Sequence, residues 1–213
     1  MGINVNGSEV DSVYCGAVPI AEVYHGAQPV WTADAYDKGH IFVEANEGKT
    51  FEVTLEKGTY YVEVTGGGGS SNFGWYYICF NNSGGSGASC YGEFYNPKQQ
   101  TFTLCAGGGS GISYMNIGDT RVLTANNGNG CAANGACGGN TGGKAVLDFS
   151  SGLVENISVE GHDGLPGSYA QNAAPAPGAS VSPHGWGVGA TSSCGNVGGT
   201  VGGIFLQYVR HRK

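Results

Sequence analysis

The sequence predicts an all-β protein, with a small N-terminal β-repeat segment followed by a glycine-rich β-sandwich or polyglycine-II-like body. Three observations predict it. Apolar and polar residues alternate strictly over 51–65, and no stretch of ten residues carries the 3.6-residue period of an amphipathic helix. An eight-residue unit, Val-Tyr-x-Gly-Ala-x-Pro-(Ile/Val), occurs at 13–20 and recurs at a period of ten at 23–30. Glycine supplies 41 of the 213 residues, with only 7 prolines and no G-X-Y period, so collagen is excluded. The glycines are interleaved with 8 Phe, 12 Tyr and 3 Trp, which a flexible linker would not carry.

Each element follows from its residues. Residues 1–31 hold the repeat, with Ile3–Val10 as a degenerate earlier copy. Each copy reads as a strand, a glycine turn and a second short strand. Units this short bury no face alone, so the segment is expected to dock or oligomerise. Residues 32–50 read as a linker entering a strand at Ile41-Phe42-Val43. Over 51–65, Phe51, Val53 and Leu55, then Tyr60, Val62 and Val64, alternate with polar partners around Lys57-Gly58. This predicts an antiparallel hairpin with Glu52, Glu56 and Glu63 on strand faces. The glycine-rich domain is assigned to 51–209, its later strands falling at the apolar islands 75–80, 101–104, 122–123, 145–149, 157–159 and 203–209. Residues 210–213, Arg-His-Arg-Lys, read as a solvated basic tail.

Two resemblances become visible. The pattern Val5-Asn6-Gly7, Val10, Val13-Tyr14-x-Gly16, Ile20, Val23-Tyr24-x-Gly26, Val30-Trp31 resembles the short N-terminal repeat of many tailed-phage tail-tip and fibre proteins. The strand pair at 51–65, the run Gly66–Gly69, the loops Gly84-Gly85-Ser86-Gly87 and Gly107–Gly111, and the closing Gly198–Ile204 resemble glycine-rich domains of phage tail proteins. They are also similar to the glycine-rich adhesins at the tips of T-even-type long tail fibres. Those resemblances imply stacked polyglycine helices and loops that touch a host receptor.

Composition and motifs restrict the chemistry. A formal net charge of −7 argues against a nucleic-acid groove. No run approaches 18 apolar residues, so no membrane span is expected. Met1–Asn6 lacks a basic and then apolar leader, so no classical signal peptide is expected. Seven cysteines (15, 79, 90, 105, 131, 137, 194) form no CxxC and read as small buried hydrophobes. Cys131 and Cys137 have the spacing most inviting to a bridge. Gly138–Ala145 nearly fits a phosphate loop, but Ala145 replaces the Mg²⁺-holding hydroxyl and no helix pattern follows. Asn126–Gly130 lacks the carboxylates of a calcium loop and reads as turns. His162-Asp163 and His184 have acid–base chemistry, yet the five histidines show no metal-ligand spacing and read as loop residues. No G-x-S-x-G elbow occurs. No catalytic residue, cofactor or metal site is assigned.

The functional signal is aromatic residues among glycine, serine and asparagine, a common binding-surface composition. Phe51, Tyr60, Phe102 and Phe205 read as core. Trp75, Tyr76, Tyr77, Tyr169 and Trp186 are the candidate receptor or partner contacts, and Tyr14, Tyr24 and Trp31 the candidate docking residues. The expectation is a non-enzymatic phage virion protein of the tail or fibre, assembled in the host cytoplasm. It would bind other virion proteins through residues 1–31, form a homo-oligomer, and contact a host glycan or outer-membrane protein. The rival readings are a purely structural capsid, collar or tail-assembly subunit, a cellular extracellular filament protein, and a cell-wall hydrolase built on distant carboxylates.

Overall fold

A computed structural model describes residues 48–71, 80–109, 111–130, 141–171, 177–191 and 198–210, with backbone alone at 80–82, 169–171 and 210. It also gives the backbone of six short strands within 4–32. Those six are three antiparallel hairpins, one per repeat: β1 (Asn4–Val5) with β2 (Ser8–Glu9), β3 (Tyr14–Cys15) with β4 (Val18–Pro19), and β5 (Glu22–His25) with β6 (Gln28–Thr32). The expected strand at 41–43 lies outside the described residues.

The remaining strands are β7 (Thr50–Leu55), β8 (Gly58–Thr65), β9 (Phe80–Asn82), β10 (Ser89–Asn96), β11 (Gln100–Cys105) and β12 (Ser113–Ile117). They continue with β13 (Thr120–Ala125), β14 (Ala145–Leu147), β15 (Glu155–Asn156), β16 (Glu160–His162), β17 (Tyr169–Gln171) and β18 (Gly203–Arg210). No α-helix or 3₁₀-helix occurs among the described residues. The first sheet runs β15-β10-β8-β18, with β16 also on β10. The second runs β14-β13-β12-β11-β7, and β9 pairs with β17 apart from both. All pairings are antiparallel. Between β12 and β13 the chain reverses in two residues, Gly118-Asp119, and Gly118 adopts a φ of 55° that a side chain would oppose.

The expected hairpin at 51–65 is not formed. β7 pairs with β11 in the second sheet, whereas β8 lies between β10 and β18 in the first. Glu56-Lys57 therefore carries the chain between layers rather than around a turn. Alternation reports which face of a strand is apolar, not which strand lies beside it. Both strands turn that face to one shared core, which holds Leu55, Tyr60, Val62, Val64 and Phe94 with Phe102, Leu104, Met115 and Leu123. Phe94 of the first sheet meets Phe102 of the second at 5.8 Å between ring centres, and Tyr60 stacks on Phe94 at 5.8 Å. Phe51 packs against this core, as expected.

At one end of the sheets the strands change character. β8 continues into 66–69, β13 into 126–130 and β16 into 164–168. β10, β14 and β18 emerge from 83–88, 141–144 and 198–202. None of these segments is a strand, yet their backbones are bonded to one another. Along 83–88 the N–H groups donate in turn to the carbonyls of Ser168, Ala190, Asn129, Leu165, Gly187 and Asn126. Residues three apart thus address the same neighbour, running antiparallel to it. The carbonyls of Ala88 and Gly85 accept from Gly66 and Gly69, that of Ser86 from Gly143, and that of Gly84 from Gly178. A period of three with no internal bonds is the geometry of an extended threefold helix. Six segments bond to the one at 83–88 through residues 66–69, 126–129, 143, 165–168, 178 and 187–190, and 83–88 is buried throughout.

Glycine is required where these backbones touch. A Cβ built on Gly84 would stand 1.9 Å from Gly69 O, and one on Gly87 2.0 Å from Gly66 O. The side chains that do occur at 83 and 86 share another face. Ser83 Oγ and Ser86 Oγ accept the Ser168 and Leu165 N–H groups at 2.7 Å each. The loop expected at 84–87 is therefore the hub of a polyglycine-II-type bundle.

Candidate functional site

Antiparallel registry decides which side chains share the outer face of the first sheet. Across β10, β8 and β18, Tyr91 lies opposite Glu63, which lies opposite Phe205. The next row is Glu93, Tyr61 and Gln207, and Tyr95 lies opposite Thr59 beyond it. On β16, Glu160 is opposite Tyr91. The result is a checkerboard of aromatic rings and carboxylates, with His162 stacked on Tyr91 at 4.6 Å. His162 Nε2 lies 3.8 Å from Glu160 Oε2. Burial, then the charges of Glu63 and Tyr91, push the Tyr61 phenol above its ordinary value.

A strap at 180–187 crosses part of this face. It carries Ser182, His184 and Trp186 onto Glu63, which alternation had set facing solvent but which is fully buried. Ser182 Oγ and His184 Nδ1 both hydrogen-bond the carboxylate, one to each oxygen, and Thr65 Oγ1 donates to it at 3.1 Å. A buried carboxylate needs such donors, because its desolvation is otherwise costly. Trp186 stacks on His184 at 4.8 Å, and His184 also meets Phe205 at 4.7 Å. Gly203 makes room for the indole, since a Cβ there would lie 2.5 Å from the Trp186 ring. Ser180 Oγ closes the strap on Trp186 O at 2.5 Å. The Ser182 hydroxyl is spent on Glu63 rather than on the imidazole, so this is not a serine–histidine–acid relay.

The structure places the expected contacts unevenly. Trp186 belongs to this cluster and is half-buried. Tyr169 begins β17, opposite Asn82, with its side chain outside the description. Trp75, Tyr76 and Tyr77 lie outside the described residues. Tyr14, Tyr24 and Trp31 fall on β3, β5 and β6, described by backbone alone. Phe205, expected in the core, is instead on the outer face against Tyr61 and His184, because its register partner is Glu63 and not an inward residue. His184 is an exposed turn residue, as expected, and also bonds a buried carboxylate, whereas His162, expected in a loop, lies in a strand. Tyr61, Glu63 and Tyr91 were not singled out from the sequence, although the alternation of β8 sets Tyr61 and Glu63 on one face.

Other expected features also have places. Residues 142–144 of the near-phosphate loop belong to the bundle and lead into strand β14, not a helix. Gly128 in the asparagine–glycine cluster donates to Gly67 O as part of the same bundle. Cys90 is buried, and burial pushes its thiol up to about 12; Cys105 is half-buried. Cys131 and Cys137 lie outside the described residues. Among the described residues no group of three metal-ligating side chains converges, and no helix is long and apolar enough to cross a membrane. No family model and no curated protein matches this chain.

Proposed function

We propose that this chain is a non-enzymatic structural protein of a phage tail or fibre, and that its glycine-rich body contacts the host surface. One observation carries the reading: the helix at 83–88 is ringed by six backbone-bonded segments. Such a bundle is what the resemblance to glycine-rich fibre-tip adhesins implies for residues with this rhythm. It is also a physical solution to recognition. Segments that would be loops elsewhere are bonded on several sides, so the surfaces they carry lose little conformational entropy on binding. The checkerboard around Tyr61, Tyr91 and Trp186 is of the amphipathic aromatic type that makes effective contact area. In this reading residues 1–31 attach the chain to other virion proteins. Repeated copies on a symmetric particle then convert weak contacts into avidity.

The test is labelling of intact source particles with an antibody against residues 51–213, viewed by electron microscopy, followed by competition of adsorption with the purified protein. Label at distal tail or fibre tips, with blocked adsorption, is the expected result. Label on the capsid or along a shaft would leave a purely structural subunit. No label on any particle, with an antibody that binds the purified protein, would remove the phage reading.

A further inference from the structure

The outer face of the second sheet is unlike that of the first: among the described residues no strap crosses it. Registry lays out its side chains in rows. Thr54 is opposite Thr101, and their hydroxyls are 3.1 Å apart. Glu52, Thr103, Asn116 and Arg121 form the next row across four strands. Thr50, Cys105, Tyr114, Thr124 and Val146 form the third across all five. Every one of these residues is exposed or half-buried. Within this polar plane Arg121 is held in place twice. Its guanidinium lies 3.7 Å from the centre of the Tyr114 ring, and its Nε donates to Asn116 Oδ1 at 2.7 Å. It forms no ion pair among the described residues, and Glu52, at the far end of its row, is three strand spacings away, about 14 Å.

We infer that this face binds a carboxylate-bearing glycan, with the Arg121 fork on the carboxylate and the threonine rows on sugar hydroxyls. The inference rests on the proposed role of the body as a host-contacting surface, and names the ligand that it contacts there. Three features of the face select this occupant. An arginine fixed at Nε keeps its two terminal nitrogens for a planar, bidentate anion, and its side-chain entropy is already spent. Hydroxyl and amide groups recur at the strand spacing of about 4.8 Å, close to the length of one sugar ring, so a glycan lying across the strands meets one side chain per unit. Among the described residues in these rows Val146 alone is a strongly exposed large hydrophobic side chain, so the rows lack the apolar centre by which a second protein copy would hold them.

The experiment uses the whole chain on an array of sialylated, uronic-acid and phosphorylated glycans beside their neutral counterparts. The best binder is then titrated while backbone amide shifts are followed by NMR. The expected result is binding of an acidic glycan at least tenfold tighter than of its neutral counterpart, with shifts concentrated on β11, β12 and β13. Arg121→Lys keeps the charge but loses the fork, and should weaken binding about tenfold. Both Arg121→Lys and Arg121→Ala change an exposed side chain, so an unchanged thermal midpoint verifies their fold. Three results would overturn the inference: no acidic glycan binding, shifts confined to other faces, or equal affinity in Arg121→Lys. Tighter binding of a phosphorylated than of any carboxylated sugar would also overturn it. Blocked adsorption without sugar binding at this face would sink the inference and leave the host-contact reading standing. Sugar binding here without label on any particle would do the reverse.

Discussion

Replacing Gly84 with alanine loads the bundle at its most crowded point. The added methyl would begin 1.9 Å from Gly69 O, and side-chain carbons essentially never come within 3.0 Å of such an atom. The two helices must therefore part by about 1.1 Å. Gly69 donates to Gly85 O at 2.8 Å, and its own carbonyl accepts from Ala190 at 2.9 Å. Displaced by that amount, the Gly69–Gly85 contact stretches to almost 4 Å, beyond hydrogen-bonding range. The groups are buried, so no water replaces the lost partners. At about 1–3 kcal/mol for each of the two buried groups left unsatisfied, the loss is about 2–6 kcal/mol. For a chain of this length that lowers the thermal midpoint by roughly 4–24 °C. Gly198→Ala is the control, because a Cβ there meets nothing within 4 Å and its φ is not positive. Its effect should stay within about 0.5 kcal/mol. The assay is thermal and denaturant unfolding followed by circular dichroism. A Gly84→Ala protein as stable as its parent would refute the packing argument.

Other expectations follow from particular side chains. Glu63→Ala strands the Ser182, Thr65 and His184 donors; it should cost about 2–3 kcal/mol and move Trp186 fluorescence to longer wavelength as the strap lifts. Cys90, with its thiol near 12 and buried, should resist iodoacetamide at pH 8 until the protein unfolds, while half-buried Cys105 reacts in the native state; peptide mass spectrometry distinguishes them. The Lys144 ammonium, then the Ala145 N–H, hold the Asp163 carboxyl below the usual carboxylate range. A lowered value means that its contribution is complete above the unfolded carboxylate pKa and is lost as pH falls through the folded one. Asp163→Asn should therefore differ from the parent at neutral pH and converge with it once the pH has fallen through the lowered folded-state value; a difference that persists in stronger acid would contradict this.

How much of this was legible follows from what each signal reports. Period-two alternation correctly marked 51–55 and 58–65 as strands, because a face that meets a core must be apolar. It could not reveal that β7 and β8 lie in different sheets, since pairing depends on the Phe102 and Phe94 strands across the core. The three N-terminal hairpins were legible because each is closed by a local turn. Glu63 was read as solvent-facing because its cover comes from Ser182, 119 residues later, and His184, 121 residues later. For the same reason the role of His184 was invisible. The glycine runs announced close backbone approach but not its partners. Ser83 and Ser86, three apart, are a local mark of a threefold helix, but the same spacing also occurs in an ordinary loop. Arg121 carries no local signal, since only registry sets it beside Tyr114 and Asn116.

The central claim is that the glycine-rich segments form an ordered, backbone-bonded bundle. Native-state hydrogen exchange at Ser83–Ala88 tests it most directly, because these residues are buried and all six amides donate to backbone carbonyls. The account predicts that these amides exchange as slowly as those in the middle of β8, by way of global unfolding. Exchange at the rate of exposed turns such as Gly118-Asp119 would mean that 83–88 is a loop, and that the bundle does not exist in solution.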